Sequence, residues 1–248
     1  MIVNRKEVRN GNMKKIYLTI RAISFYILLA ISVLVCVTCL FLSWRPGSFK
    51  SRFTAIRLWS KTAAWLGKVI CGIDYEIRGL ENLPAEPAVY LSRHESAWET
   101  LVLPGVLPMN CCICKKSLQY IPVFGWAFAM AKHIPIDRSQ GVKAFKRVLK
   151  LGKERVKFGL SILIYPEGTR VAPGEFPKFH KTGVSLARAA GVKVVPIAHD
   201  AGRLWRKNSF LKYPGKVTIS IGEPIDTKGA DVNKVNEAVH AWIKQTLS

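Results

Sequence analysis

His94 and Glu99, in the run His94, Glu95, Ser96, Ala97, Trp98, Glu99, are the first pair in this chain whose types fit proton transfer. Imidazole, with an ordinary pKa of about 6.5, is the side chain best suited to take a proton from an alcohol near neutral pH. A carboxylate on its other nitrogen fixes the tautomer and stabilises the imidazolium that forms. If the alcohol itself attacks an acyl carbon, the protein needs no serine or cysteine nucleophile. A thiol leaving group, with a pKa of about 8.5, departs with little help. Some seventy residues on comes Tyr165, Pro166, Glu167, Gly168, Thr169, Arg170. The planar fork of Arg170 suits a phosphate, and Glu167 either steers it or holds the loop. Together the blocks point to a hydroxyl on a phosphorylated molecule being deprotonated so that it attacks an acyl group.

Each block also has a purely structural reading. Ser96 and Glu99 form the Ser-x-x-Glu pattern of a helix capping box, in which Glu99 reaches back to the Ser96 N–H. Glu167 and Arg170 equally fit an exposed pair of little energetic weight. Residues five apart lie about 140° apart around a helix, so the two cannot pair from one helical face. The pair requires His94 on a loop and Glu99 in the first turn of a following helix. The apolar run 87–92 reads as the buried strand leading into that loop, and 161–165 as a second strand placing Arg170 at its carboxyl end.

Other cations recur near apolar strands. Lys116, Leu118, Tyr120, Pro122, Phe124, Gly125 and Trp126 lead into His133, Ile134, Pro135, Ile136, Asp137, Arg138, so a second arginine follows a short strand. Lys178, His180 and Lys181 precede Thr182, a predicted cap of an apolar helix whose start favours an anion. Each of these cations alone reads more readily as a solvated charge than as a ligand.

The elements that must position these groups alternate along the chain. Apolar runs at 73–77, 89–91, 111–114, 134–136, 162–165, 192–197 and 217–221 read as strands, with helical patterns between them, including 142–158 and 232–247. Seven strands with interleaved helices define an α/β fold, a largely seven-stranded sheet flanked by helices. The division expected is residues 1–70 as a membrane-embedded helical segment and 71–248 as the α/β domain.

Residues 22–44 are 23 positions without a charge. As a helix they reach about 34 Å, against a hydrocarbon core of about 30 Å, which suffices to span. The stretch is too long for a signal-peptide core, and Leu42, Ser43, Trp44, Arg45 offers no small-residue cleavage site. Arg5, Lys6, Arg9, Lys14, Lys15 and Arg21 before it are balanced by Arg45, Lys50, Arg52, Arg57, Lys61 and Lys68 after it, so the positive-inside rule returns a tie. Residues 53–69 read as an amphipathic helix with Arg57, Lys61 and Lys68 on one side and Ile56, Leu58, Trp59, Trp65 and Leu66 offered to lipid. Both flanks then lie on one face if the first helix tilts or enters part-way.

The chain carries 38 Lys and Arg against 16 Asp and Glu, a net charge of +22. Its partners should be anionic: membrane lipids or phosphorylated substrates. Nucleic acid is not expected, since no zinc-finger spacing, RNP-like aromatic block or long basic helix is present. Cys36, Cys39, Cys71, Cys111, Cys112 and Cys114 lack metal-ligand spacing and read as buried thiols in a reducing compartment, which places the domain on the cytosolic side. No metal or cofactor is expected.

The ordered blocks, 94–99, 116–138, 165–170 and Val194, Val195, Pro196, Ile197, Ala198, with a closing strand at 215–225, resemble the 1-acyl-sn-glycerol-3-phosphate acyltransferase family of glycerophospholipid acyltransferases over roughly residues 70–227. The resemblance implies a glycerol-3-phosphate acyltransferase-like fold behind a two-helix membrane platform, at the inner membrane of a bacterium. It implies transfer of a fatty acyl group from acyl-CoA or acyl carrier protein to the sn-2 hydroxyl of a lysophospholipid acceptor, giving phosphatidic acid. His94 becomes the base and Glu99 its orienter, in a position where the family usually has aspartate. Lys116, Arg138, Glu167, Gly168, Thr169 and Arg170 become the acceptor-phosphate region, and Pro196 a substrate-placing residue or simply a proline in a buried strand. Two alternatives stand beside this: another lyso-lipid acceptor, such as a lyso-aminolipid presenting a carboxylate to Arg138 and Arg170, and a non-catalytic membrane-binding homologue.

Overall fold

The structure, a computed structural model, describes residues 5–42 and 49–248, with side chains from residue 12 onward. The end of the apolar stretch at Ser43 and Trp44, and Arg45 after it, lie outside the described residues. Seven strands form a single sheet: β1 (Ile73–Arg78), β2 (Val89–Ser92), β3 (Asn110–Lys115), β4 (Ile134–Ile136), β5 (Ser161–Ile164), β6 (Val194–His199) and β7 (Gly215–Ile221). The order across it is β1-β7-β6-β2-β5-β3-β4, and only β6 and β7 pair antiparallel. β2 and β5 are buried at every position, as strands with helices on both faces must be, which is why each reads as an unbroken apolar run.

Helices α1 (Arg5–Leu42), α2 (Phe49–Cys71) and α3 (Trp98–Val106) lie largely on one face. Their apolar cluster joins Phe25, Ala64, Leu66, Trp98, Val102 and Leu103 to Tyr90, Leu163, Val195 and Val217. The opposite face is covered by α5 (Val142–Lys157), α6 (Thr182–Ala190) and α7 (Val232–Leu247), through Val148, Val184, Leu186, Val235, Val239 and Ile243. A short α4 (Phe124–Met130) flanks the β4 edge and touches α1 through Met130.

The apolar helix is longer than its charge-free stretch, and it does not stand alone. Its stretch Asn12–Leu42 is long and apolar enough to cross a membrane. Yet Leu18, Ala22, Phe25, Val37 and Leu40 are buried on one stripe, with Phe25 edge-on to Trp205 at 5.5 Å. The other side, including Ile16, Ile20, Ile27, Leu34 and Phe41, is exposed.

α2 begins four residues before the predicted start and faces differently from the expected pattern. Leu66 packs into the core, and Trp59 Nε1 donates to Ser32 Oγ of α1 at 3.1 Å, so neither is offered to lipid. Leu58, Trp65 and Val69 remain outward. The reason is the close approach of α2 to α3: a Cβ at Gly105 would fall 2.7 Å from Ser60 Oγ, and Ser60 Oγ donates to Val102 O while Arg57 Nε donates to Gly105 O at 3.2 Å. Thr182 is likewise not the cap of α6. Lys181 occupies that position, with no side-chain capping hydrogen bond.

Candidate active site

The two chemical blocks leave the carboxyl ends of adjacent parallel strands. In the β2–β5 register Leu91 faces Ile164, so His94 and Glu167, each three residues further on, emerge at the same height. β2 also lies where the strand order reverses, between β5 and β6, the position at which open α/β sheets bind their ligands. The loops are tied there by backbone. Val171 N donates to His94 O at 2.9 Å, and His94 N donates to Glu167 Oε1 at 3.2 Å.

His94 sits on the loop and Glu99 in the first turn of α3, as the pairing requires. His94 Nδ1 donates to Glu99 Oε1 at 2.7 Å, which leaves Nε2 as the nitrogen able to accept a proton. No hydrogen bond to Nε2 is found among the described residues. The ring stacks on Tyr165, centroids 4.1 Å apart. The same Glu99 Oε1 also accepts from Ser96 N at 2.9 Å and Glu95 N at 3.1 Å. The carboxylate therefore orients the histidine and reaches back to the Ser96 N–H in one arrangement, but the N-cap of α3 is Ala97 and not Ser96, so the full capping box does not form. Full burial works against the Glu99 charge, but His199, His94 and the Ser96 N–H outweigh it and hold the carboxyl below its usual value.

Glu167 has a different environment. Burial raises its carboxyl to about 7, because its nearest cation, Arg93 Nη1, is 3.5 Å away and shared. Arg93 is fully buried, with Nε donating to Glu95 Oε1 at 3.0 Å and Nη2 to Ala172 O at 3.2 Å and to Glu175 O. Glu95 Oε2 in turn accepts from Gly202 N at 3.2 Å, and His199 Nε2 donates to Arg93 O at 2.7 Å. Arg93, Glu95, Glu175 and His199 thus clamp the loop that carries His94. The sequence reading passed over all four. Their one visible signal was the placement of Arg93 and Glu95 on either side of His94.

A cavity of about 470 Å³ opens at Tyr165 and Glu167, the residues that contact His94; neither His94 nor Glu99 lines it. One wall is apolar, from Ile113, Ile136, Ala144, Phe145, Val148 and Ile164; the other is Arg138, Tyr165 to Thr169, and His180. Gly168 adopts φ +71°, which a larger residue would hold only with strain, and a Cβ there would press on the His180 ring at 3.2 Å while making ordinary contact with Arg138 Nη1 at 3.7 Å. Arg138, Glu167, Gly168 and Thr169 are brought together at the cavity, and half-buried Arg170 follows directly. Neither Arg138 nor Arg170 makes a side-chain hydrogen bond or ion pair among the described residues. Lys116 is exposed on the 3-10 turn Lys116–Tyr120, near Asp137, and is not among the residues lining the cavity. Pro196 is inside the sheet opposite Leu91, with its ring where a Cβ on Gly222 would clash, so it packs and does not line the cavity.

All six cysteines are free thiols. Cys112 Sγ lies 3.4 Å from His133 Nδ1, but burial pushes the thiol well up and the imidazole down to about 4, so the pair stays neutral and unreactive.

Residues 74–200 match the Acyltransferase family. The chain is 41% identical over 233 residues to the 1-acyl-sn-glycerol-3-phosphate acyltransferase of Pseudomonas aeruginosa, covering 92% of this chain and 91% of that protein. A protein of the same description from Cocos nucifera is 31% identical over 159 residues; the match takes in 62% of this chain and about half, 52%, of that relative. The crystal structure of the 1-acyl-sn-glycerophosphate acyltransferase PlsC from Thermotoga maritima superposes with a TM-score of 0.78 over 95% of both chains at 24% identity, a likeness of fold.

Proposed function

The chain belongs to the 1-acyl-sn-glycerol-3-phosphate acyltransferase family and is an acyltransferase, and from that premise we propose that it moves a fatty acyl group from a thioester, acyl-CoA or acyl carrier protein, to the sn-2 hydroxyl of 1-acyl-sn-glycerol-3-phosphate. The observation that carries the reading is the 2.7 Å bond from His94 Nδ1 to the buried Glu99 carboxylate, which leaves Nε2 as the proton acceptor. Nε2 takes the hydroxyl proton as the oxygen attacks the thioester carbonyl. The tetrahedral intermediate collapses with cleavage of the C–S bond, and the imidazolium returns its proton to the departing sulfur. The Glu99 charge stabilises the imidazolium between these events.

Arg138 and Arg170, with no anionic partner of their own among the described residues, are the phosphate ligands in this reading, and the apolar wall of the cavity suits a hydrocarbon chain. Glu167 acts as a bracket on the His94 backbone. Lipid substrates call for membrane association, supported by the outward apolar face of α1 together with Leu58, Trp65 and Val69 of α2. Because the inward stripe of α1 packs on the protein, the fitting arrangement is a platform seated in one leaflet, with anionic lipid drawn to its cations.

The test is to assay the purified protein against a panel of lyso-lipids, with acyl-CoA and acyl carrier protein as donors. Transfer to 1-acyl-sn-glycerol-3-phosphate above the other acceptors is expected. His94→Ala should lower turnover by about 10² to 10⁴. A preference for a lyso-aminolipid, or near-normal turnover without His94, would overturn the reading.

A further inference from the structure

One helix of the catalytic layer carries a charge pattern that the chemistry above does not use. Along α5, Lys143, Lys146, Arg147, Lys150, Lys153 and Lys157 are exposed, while Ala144, Val148 and Gly152 are buried. At about 100° per residue the six cations fall within roughly one third of the helix circumference, so they form one stripe about 21 Å long. Glu154 is the only acidic residue on the helix, and no α5 cation makes an ion pair among the described residues. Like charges four apart weaken a helix, so the stripe does not serve its stability.

From this face we infer that α5 docks an acidic carrier protein that delivers the acyl thioester, an inference that rests on the acyl-transfer reading above. Three observations choose this occupant. First, α5 packs on the face of the sheet opposite the main packing of α1, α2 and α3, and meets the start of α2 at its C-terminal end, where Phe158 contacts Phe49. Second, the apolar residues along its middle, Val148 and Gly152, are turned inward to the core. Beside the stripe only Val142 and Phe145 at its start and Phe158 at its end are exposed apolar groups, too few for a continuous face to insert into a bilayer. Third, the helix is continuous with the site: Ala144, Phe145 and Val148 form part of the cavity wall that also includes Tyr165 and Glu167. Val142 and Phe145, 69% and 37% exposed at the same end, give the contact an apolar anchor beside the cavity mouth. A carrier seated along the stripe has its thioester arm over the end of α5 that opens on the reacting groups. Attraction of this kind is set by charge complementarity and weakened by salt.

The experiment uses the full-length protein and the triple variant Lys146→Glu, Lys150→Glu, Lys153→Glu, with palmitoyl acyl carrier protein and palmitoyl-CoA as alternative donors. At low salt the variant should raise KM for the carrier-bound donor about tenfold or more, with kcat little changed and the salt dependence flattened. KM for palmitoyl-CoA should stay within about twofold, and a triple Lys→Gln variant should fall between wild type and the reversal. Binding to vesicles of phosphatidylglycerol should be unaffected. Equal loss with both donors, an unchanged carrier KM, or loss of vesicle binding instead would each overturn the inference. Fluorescence anisotropy of labelled holo carrier protein reads docking without turnover. If wild-type protein acylates no lyso-lipid, the acyl-transfer reading has failed, and charge-dependent carrier binding still decides whether α5 is the docking face.

Discussion

The backbone N–H of His94 donates to Glu167 Oε1, so the residue proposed as the base is held in place by a carboxylate from the neighbouring strand's loop. Glu167 is 6% exposed, and its second oxygen makes no hydrogen bond among the described residues. Its role in this geometry is to fix where the imidazole stands, while Glu99 fixes how the imidazole is turned.

That bracket predicts a pH dependence. Burial raises the Glu167 carboxyl from 4.5 to about 7, so between those values the unfolded chain has released a proton that the folded chain still holds. The contribution to stability is full below pH 4.5 and is lost as pH rises through 7, by at most about 1.4 kcal/mol per pH unit. Glu167→Gln keeps an oxygen for the His94 N–H and removes the titration. The variant should gain in melting temperature relative to wild type as pH is raised across that window. A difference that stays flat over the window would show that Glu167 has no raised pKa.

Arg170 follows the cavity wall without a side-chain partner among the described residues, a placement that leaves its fork for a ligand. Arg170→Lys keeps the charge and loses the bidentate geometry. KM for 1-acyl-sn-glycerol-3-phosphate should rise about tenfold, the cost of roughly one charge-assisted hydrogen bond, while KM for the thioester donor barely moves. Steady-state kinetics with each substrate varied in turn make the comparison, and equal weakening of both counts against a phosphate role.

How legible these features were depended on where the partners lie. Buried parallel strands are apolar on both faces, so β2 and β5 read directly, and the two blocks at their ends came with them. The pairing of His94 and Glu99 was legible because a strand, loop and helix start is a local geometry. The clamp was not: Arg93 reaches Glu175 and Glu95 reaches Gly202, 82 and 107 residues away in sequence, and only the sheet order brings them together. Lys116 and Pro196 belong to the ordered blocks, yet one is exposed on a turn and the other packs within β6, directions that block order does not encode. α1 shows a different limit. A helix apolar on all sides carries no mark separating the stripe that packs on protein from the side that meets lipid.

The inward stripe of α1 has its own consequence. Phe25 is 1% exposed among Trp205 and the core residues around β1, so α1 contributes to the stability of the α/β layer as well as to any anchor. Phe25→Ala should destabilise the detergent-solubilised protein by about 3 to 5 kcal/mol. Ile20→Ala, on the exposed side, should stay within about 0.5 kcal/mol. Thermal unfolding of both variants checks this, and similar melting temperatures for the two would show that α1 is not part of the folded core.

Glu99 offers the sharpest test, because one oxygen serves three donors: His94 Nδ1, Ser96 N and Glu95 N. Glu99→Gln retains an oxygen able to accept all three and loses only the charge facing the imidazolium. Turnover should fall tenfold or more, by about 1.4 kcal/mol or more of transition-state stabilisation, with a small change in melting temperature. Glu99→Ala leaves the two buried backbone N–H groups of Glu95 and Ser96 without their acceptor, each costing about 1 to 3 kcal/mol, and frees the half-buried His94 ring, so it should lose stability as well as turnover. Glu99→Asp restores the residue usual in the family but withdraws the carboxylate by one methylene. The helix start that surrounds Glu99 is built for the longer side chain, so Asp should keep part of the activity at a lower melting temperature. Turnover and unfolding measured together on the three variants separate charge from hydrogen bonding, and a Glu99→Gln enzyme with full turnover would show that the carboxylate holds the loop without assisting the proton transfer.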